Sequence, residues 1–145
     1  MYPYGYPEEN YRQQHQLVAD LAKAVNGEYS AVQCYEQLAR MAPNQSIREQ
    51  INEIRNDEMR HYREFVRFYT SLTGRRPNVQ INEGCPQTYR EGLDFAFRDE
   101  QETVDFYLDI AERATTQEMR KAFKRASADE QSHAVWFLYF MTAHR

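Results

Sequence analysis

Asp57-Glu58-Met59-Arg60-His61 recurs as Asp129-Glu130-Gln131-Ser132-His133, at an offset of 72 residues. The same offset carries Glu28 to Glu100, Tyr35 to Tyr107, Ala39 to Ala111 and Phe65 to Phe137. A fixed offset that preserves an acid, an Asp-Glu-x-x-His run and the apolar positions around them is an internal repeat. Each half is then a pair of helices carrying the same half-site. Residues three apart lie on one helix face, so Glu58 projects beside His61 and Glu130 beside His133. A carboxylate oxygen and an imidazole nitrogen one turn apart can bind one metal ion. A single Glu-x-x-His is usually a solvated surface pair. Two copies at matching positions of a repeat, each inside an apolar seam, point to a metal site.

Working outward, the spacing predicts four helices, over about residues 9–42, 47–72, 86–114 and 116–143. The first carries the seam Leu17, Leu21, Ala24, Glu28, Ala31, Tyr35, Leu38, in steps of three and four. The second carries Ile47, Ile51, Ile54, Glu58, His61, Phe65, Phe68, Leu72. The third reads Leu93, Ala96, Glu100, Thr103, Tyr107, Ile110, Ala114, and the fourth Met119, Phe123, Ala126, Glu130, His133, Phe137, Phe140. Pro43-Asn44 and Thr73-Gly74 end the first two helices. Ser46 with Glu49, and Thr115 with Glu118, read as capping boxes. Pro86 reads as the first-turn proline of the third helix. His144 is expected at a frayed terminus.

The connection over 73–85 is rich in breakers: Gly74, Pro77, Asn78 and Gly84. Its thirteen residues reach roughly 43 Å when extended, and a 26-residue helix is about 39 Å long. It can therefore cross the whole bundle and set the third helix parallel to the second. The expected fold is all-α, a four-helix bundle with one long crossover between helices 2 and 3. Residues 1–9 are expected as a flexible Tyr/Pro-rich tail and 10–145 as the bundle.

A net charge of −4 argues against nucleic acid as a partner. No apolar run approaches the ~18 residues of a membrane span, so no membrane partner is expected. The start of the chain shows no charged-then-apolar leader pattern, and the expectation is a cytoplasmic protein. The two cysteines, Cys34 and Cys85, form no Cys-x-x-Cys pair and are expected as free thiols.

The four seams thus hold Glu28, Glu58, His61, Glu100, Glu130 and His133 at mid-helix. Buried carboxylates are costly unless paired, and four facing one another would repel or take up protons. Two divalent cations cancel four carboxylates and leave two neutral imidazoles to complete the shells. One Glu from each of two helices, with Glu-x-x-His from each of the other two, is a di-iron or di-manganese carboxylate pattern.

On these residues, with Gly27-Glu28 and Tyr35 in the first helix and Glu100 with Tyr107 in the third, the chain resembles the ferritin-like superfamily. The nearest likeness is the erythrin domain of rubrerythrins, over residues ~10–143. The resemblance implies that Glu58 and Glu130 bridge two metals, with Glu28 and His61, and Glu100 and His133, as terminal ligands. It implies that Asp57 and Asp129 accept hydrogen bonds from ligand histidines, and that Tyr35 and Tyr107 bond to terminal carboxylates. The implied cofactor is a pair of iron ions, with manganese or zinc as alternatives.

Thr103 stands where rubrerythrins usually carry a second third-helix glutamate. The cysteine count excludes a rubredoxin domain. Met59 follows the bridging glutamate as the haem-ligating methionine does in bacterioferritins, yet relatives without haem share it, and haem is not expected. The implied function is non-haem di-iron oxidoreductase chemistry with hydrogen peroxide or dioxygen, of peroxidase or ferroxidase type. It would serve oxidative-stress defence in a homodimer or higher oligomer fed by an unidentified electron donor. The rivals are a ferritin-type iron-handling cage and a structural, spore-coat-associated metal protein.

Overall fold

The computed structural model describes residues 7–81 and 84–143. Residues 1–6 of the expected tail, and His144, lie outside them. The four seams become α1 (Pro7–Met41), α2 (Gln45–Thr73), α3 (Tyr89–Arg113) and α4 (Gln117–Thr142).

The helix starts differ from the expected caps. Asn44, not Ser46, caps α2 and accepts from the Ile47 N–H at 2.9 Å. Thr116, not Thr115, caps α4 and accepts from the Met119 N–H at 3.1 Å. The third helix opens with Thr88 as its cap rather than at Pro86, its side chain accepting from the Glu91 N–H at 3.2 Å. Asn44 and Thr116 are repeat mates, as are the arginines behind them. Arg48 donates to the Ala42 carbonyl at 3.4 Å and Arg120 to the Ala114 carbonyl at 3.3 Å. Each arginine thereby satisfies a carbonyl left open where the preceding helix ends. Gly74 closes α2 in the left-handed conformation (φ 74°), its N–H donating to the Thr70 carbonyl at 2.8 Å. A glycine adopts that conformation without steric penalty.

Contacts across the bundle fix the helix directions. Tyr35 of α1 reaches Glu100 of α3, and Tyr107 of α3 reaches Glu28 of α1. One helix rises as the other falls, so α1 and α3 are antiparallel. With α2 folded back on α1, α3 runs parallel to α2, which requires the long crossover. The connection follows α1 along its length. Its Gln80 N–H donates to Asn26 at 2.9 Å, Cys85 is bonded to Cys34, and the Pro86 carbonyl accepts from Gln37 at 3.3 Å.

Cys34 and Cys85 are therefore a disulfide and not the free thiols expected. Spacing along the chain gave no sign of it. Their Cα atoms lie 5.2 Å apart only because the crossover returns beside α1.

The apolar residues form two clusters, one at each end of the bundle. One holds Leu17, Leu21, Phe65, Tyr107, Met119 and Phe123. The other holds Tyr35, Ile51, Ile54, Leu93, Phe137 and Phe140. Between them, in chain order on every helix, lie the buried acids and histidines of the four seams.

Candidate metal centre

Glu28, Glu58, His61, Glu100, Glu130 and His133 are all at most 3% exposed. Each occupies a core position of its helix, so packing at both ends of the bundle drives it inward. Their ligand atoms fall into two overlapping groups. Glu28, Glu58, His61 and Glu130 each offer one atom, all within 4.8 Å of one another, and Glu58, Glu100, Glu130 and His133 do the same. Glu58 and Glu130 belong to both. Among the described residues, one atom on each of the six side chains is buried without a hydrogen-bond partner: an oxygen of each glutamate and Nδ1 of each histidine. Buried polar atoms are rarely left so. Six orphaned lone-pair carriers converging from four helices fit a pair of metal ions.

The outward-facing atoms of these side chains are held in place. His61 Nε2 lies 2.8 Å from Asp129, and His133 Nε2 lies 2.8 Å from Asp57. An aspartate on Nε2 makes that nitrogen the N–H, which leaves Nδ1 as the lone-pair donor facing inward. Tyr35 donates to Glu100 at 2.7 Å, and Tyr107 donates to Glu28. Every one of these supports crosses between the two halves of the repeat. Arg60 joins them further, donating to Asp57 at 3.1 Å and to Asp129 at 2.9 Å. Sequence reasoning gave Arg60 no role, although its place three residues after Asp57 puts the two on one helix face. It also missed Arg125, one turn before Asp129, which donates to that carboxylate at 3.1 Å.

Charge in the metal-free cluster is managed by protons. Burial, then the Glu58 carboxylate, pushes Glu28 up to about 8 against the pull of His61. Burial and its carboxylate neighbours, Glu100 first, hold Glu130 well above the usual carboxylate range. Burial raises Glu100 as well, followed by the Glu58 charge. Glu58 goes the other way. Burial would raise it, but the imidazoles of His133 and His61 outweigh burial and hold it far below the ordinary range. Burial would lower His61 too, yet the Glu28 charge and the bond to Asp129 raise it to about 12. His133 is raised to about 11 in the same way, by Glu100 and Glu58. A divalent pair would displace these protons and take over their neutralising role.

A cavity of about 200 Å³ lies between α1 and α3. Its inner wall includes Glu28, Glu58 and Glu130, and its outer lining includes Lys23, Gly27 and Glu102. Thr103 and Cys34 form part of its sides. The Thr103 hydroxyl donates to the Asp99 carbonyl of its own helix at 2.7 Å. Asp99 and Glu102 line the cavity but stay outside the six-residue cluster, which takes Glu100 from α3.

A four-helix bundle with a long crossover, closed around inward-facing glutamates and Glu-x-x-His pairs, defines the ferritin-like carboxylate class. The Rubrerythrin family model matches residues 20–88 and 91–145, and the chain belongs to that family. A protein of Bacillus subtilis (strain 168) bearing the name "Uncharacterized protein YhjR" is 51% identical over 140 residues, covering 97% of this chain and 94% of its own. A crystal structure described as ferritin-like, diiron-carboxylate proteins from Bacillus anthracis str. Ames superposes with a TM-score of 0.79. It is 22% identical and covers 89% of this chain and 97% of its own. A hypothetical protein from Pyrococcus furiosus superposes with a TM-score of 0.72, at 19% identity over 87% of this chain and 88% of its own. These two likenesses carry the fold. Among the described residues, no helix is long and apolar enough to cross a membrane.

Proposed function

We propose that this chain is a rubrerythrin-like redox protein that holds two iron ions and reacts with hydrogen peroxide or dioxygen. Glu58 and Glu130 would be shared by both ions, Glu28 and His61 would complete one, and Glu100 and His133 the other. The observation that supports this most is the set of six orphaned ligand atoms in two groups that share Glu58 and Glu130. Bound iron would supply the change of oxidation state. The side chains supply the rest. The aspartates keep each imidazole in the tautomer that presents Nδ1, and the tyrosines orient the outer carboxylates. The cavity between α1 and α3 gives a small oxidant a route to the centre, since Glu28, Glu58 and Glu130 form part of its lining. The Bacillus anthracis neighbour is described as diiron-carboxylate, which agrees with this reading.

The test is oxygen-free loading with Fe(II), followed by rapid mixing with peroxide or with dioxygen. The expected results are two irons per chain, a raised melting midpoint and faster oxidation by peroxide. A stoichiometry below one with an unchanged midpoint removes the dinuclear reading. A preference for dioxygen with mineral formation replaces it with iron storage.

A further inference from the structure

The disulfide sits where a reductant of the centre would be useful. Cys34 is 5% exposed and lines the same cavity whose inner wall is Glu28, Glu58 and Glu130. It lies six residues beyond Glu28 on α1, about 9 Å along the axis. The next residue is Tyr35, whose hydroxyl donates to Glu100. The backbone, the Tyr35 side chain and one hydrogen bond therefore link the sulfur-bearing residue to the six-residue cluster. Cys85, its partner, is only half-buried and belongs to the crossover rather than to the bundle. The repeat also marks Cys34 as a departure. Its mate is Phe106, on the opposite side of the same cavity. The α1 wall thus carries a group able to give up electrons where the α3 wall carries a phenyl ring.

Resting on the di-iron reading above, we propose that Cys34 and Cys85 are a built-in two-electron donor to the metal pair. In the reduced chain both are thiols. As the S–S bond forms, two S–H bonds break, and one electron passes from the thiol pair to each of the two oxidised metal ions. The two protons released equal the two consumed when peroxide becomes water. The net change is one peroxide and one dithiol converted to two waters and one disulfide. A low-molecular-weight thiol or an external dithiol protein then reopens the bond by attacking the Cys85 sulfur, the one nearer solvent.

The experiment counts thiols. Reduced, Fe(II)-loaded chain receives one equivalent of peroxide without oxygen. Samples are quenched with an alkylating agent, and intact mass gives the number of free thiols. Metal-free chain is the control. The expected result is loss of both thiols in step with peroxide consumption, at least tenfold faster with metal than without. With dithiothreitol as external reductant, Cys85→Ser should lower multiple-turnover peroxide consumption at least tenfold. Equal rates of thiol loss with and without metal would overturn the proposal, because peroxide would then be acting on sulfur directly. Peroxide consumption with both thiols still alkylatable would overturn it too, and leave the bond a structural tie. A loaded chain that consumes no peroxide overturns this proposal, and one that consumes neither peroxide nor dioxygen fails the proposed function as well.

Discussion

The two halves of the cluster use the same residue types but are not supported equally. Asp129, behind His61, has a side chain 13% exposed and accepts from two arginines, Arg60 at 2.9 Å and Arg125 at 3.1 Å. Asp57, behind His133, is 32% exposed and accepts from Arg60 alone of the two. The cavity walls differ as well: Cys34 and Ala31 stand on the α1 side, Phe106 and Thr103 at the matching positions of α3. Duplication can copy a ligand set, while the surroundings of each copy then diverge. On the proposed di-iron reading, the centre would hold two inequivalent metal positions sharing two carboxylates rather than one symmetric site.

The sharpest way to break that picture is to remove a shared ligand. Glu58→Ala should cost both ions, because Glu58 belongs to both groups. Glu100→Ala should cost one, and Glu102→Ala none, since Glu102 lies outside the cluster. Metal content per chain after gel filtration reads all three. Retention of two ions by Glu58→Ala would refute the shared role.

Reduction of the disulfide comes next in size. It closes a loop with a sequence separation of 51, which in the chain-entropy model stabilises by roughly 4 kcal/mol at most. A thermal melt with and without reductant should show the midpoint fall by several degrees in both metal-free and metal-loaded chain. No shift in either state would mean that the crossover is held by its other contacts alone.

Titration of the metal-free chain tests the account of its protons. Glu28 stands at about 8 against an ordinary 4.5, and His61 at about 12 against 6.5. A raised folded-state value means that the folded chain keeps a proton the unfolded chain has lost. The stability this gives is complete below the unfolded value and drains away as pH rises to the folded one. The melting midpoint of metal-free protein should therefore fall between pH 4.5 and about 8 on account of Glu28, and further above 6.5 on account of His61. Metal-loaded protein should lack most of that slope, because the ions replace the protons. A flat metal-free profile would show that the cluster is not protonated as described.

The smallest expected effect bears on the inequality itself. Asp129→Asn should weaken the ion beside His61 by ~10–100-fold in affinity, the usual range for losing a carboxylate behind a ligand histidine. Asp57→Asn should weaken the other by less, given its greater exposure and fewer partners. Competitive titration with a metallochromic chelator measures both, and equal losses would restore a symmetric site.

Much of this architecture is legible in the chain itself. The offset of 72 and the seams place four helices and select Glu100 over Asp99 and Glu102. The misplaced caps had a remedy in the same repeat. Ser46 and Thr115 are not repeat mates, whereas Asn44 and Thr116, the caps in the structure, are. Helix ends depend on one or two local hydrogen bonds that several neighbouring residues could make, so a single copy of the sequence leaves them open.

The sequence by itself determined the helices, their inward faces and the chemistry each face carries, because periodicity and residue type are local properties. It did not determine which half supports which. Asp129 serves His61, Asp57 serves His133, Tyr35 serves Glu100 and Tyr107 serves Glu28. Each of those pairs spans 65 residues or more, and only the antiparallel packing of α1 on α3 and of α2 on α4 brings its members together. The disulfide is of the same kind. Nothing local joins Cys34 to Cys85, and it takes the path of the crossover along α1 to place one beside the other.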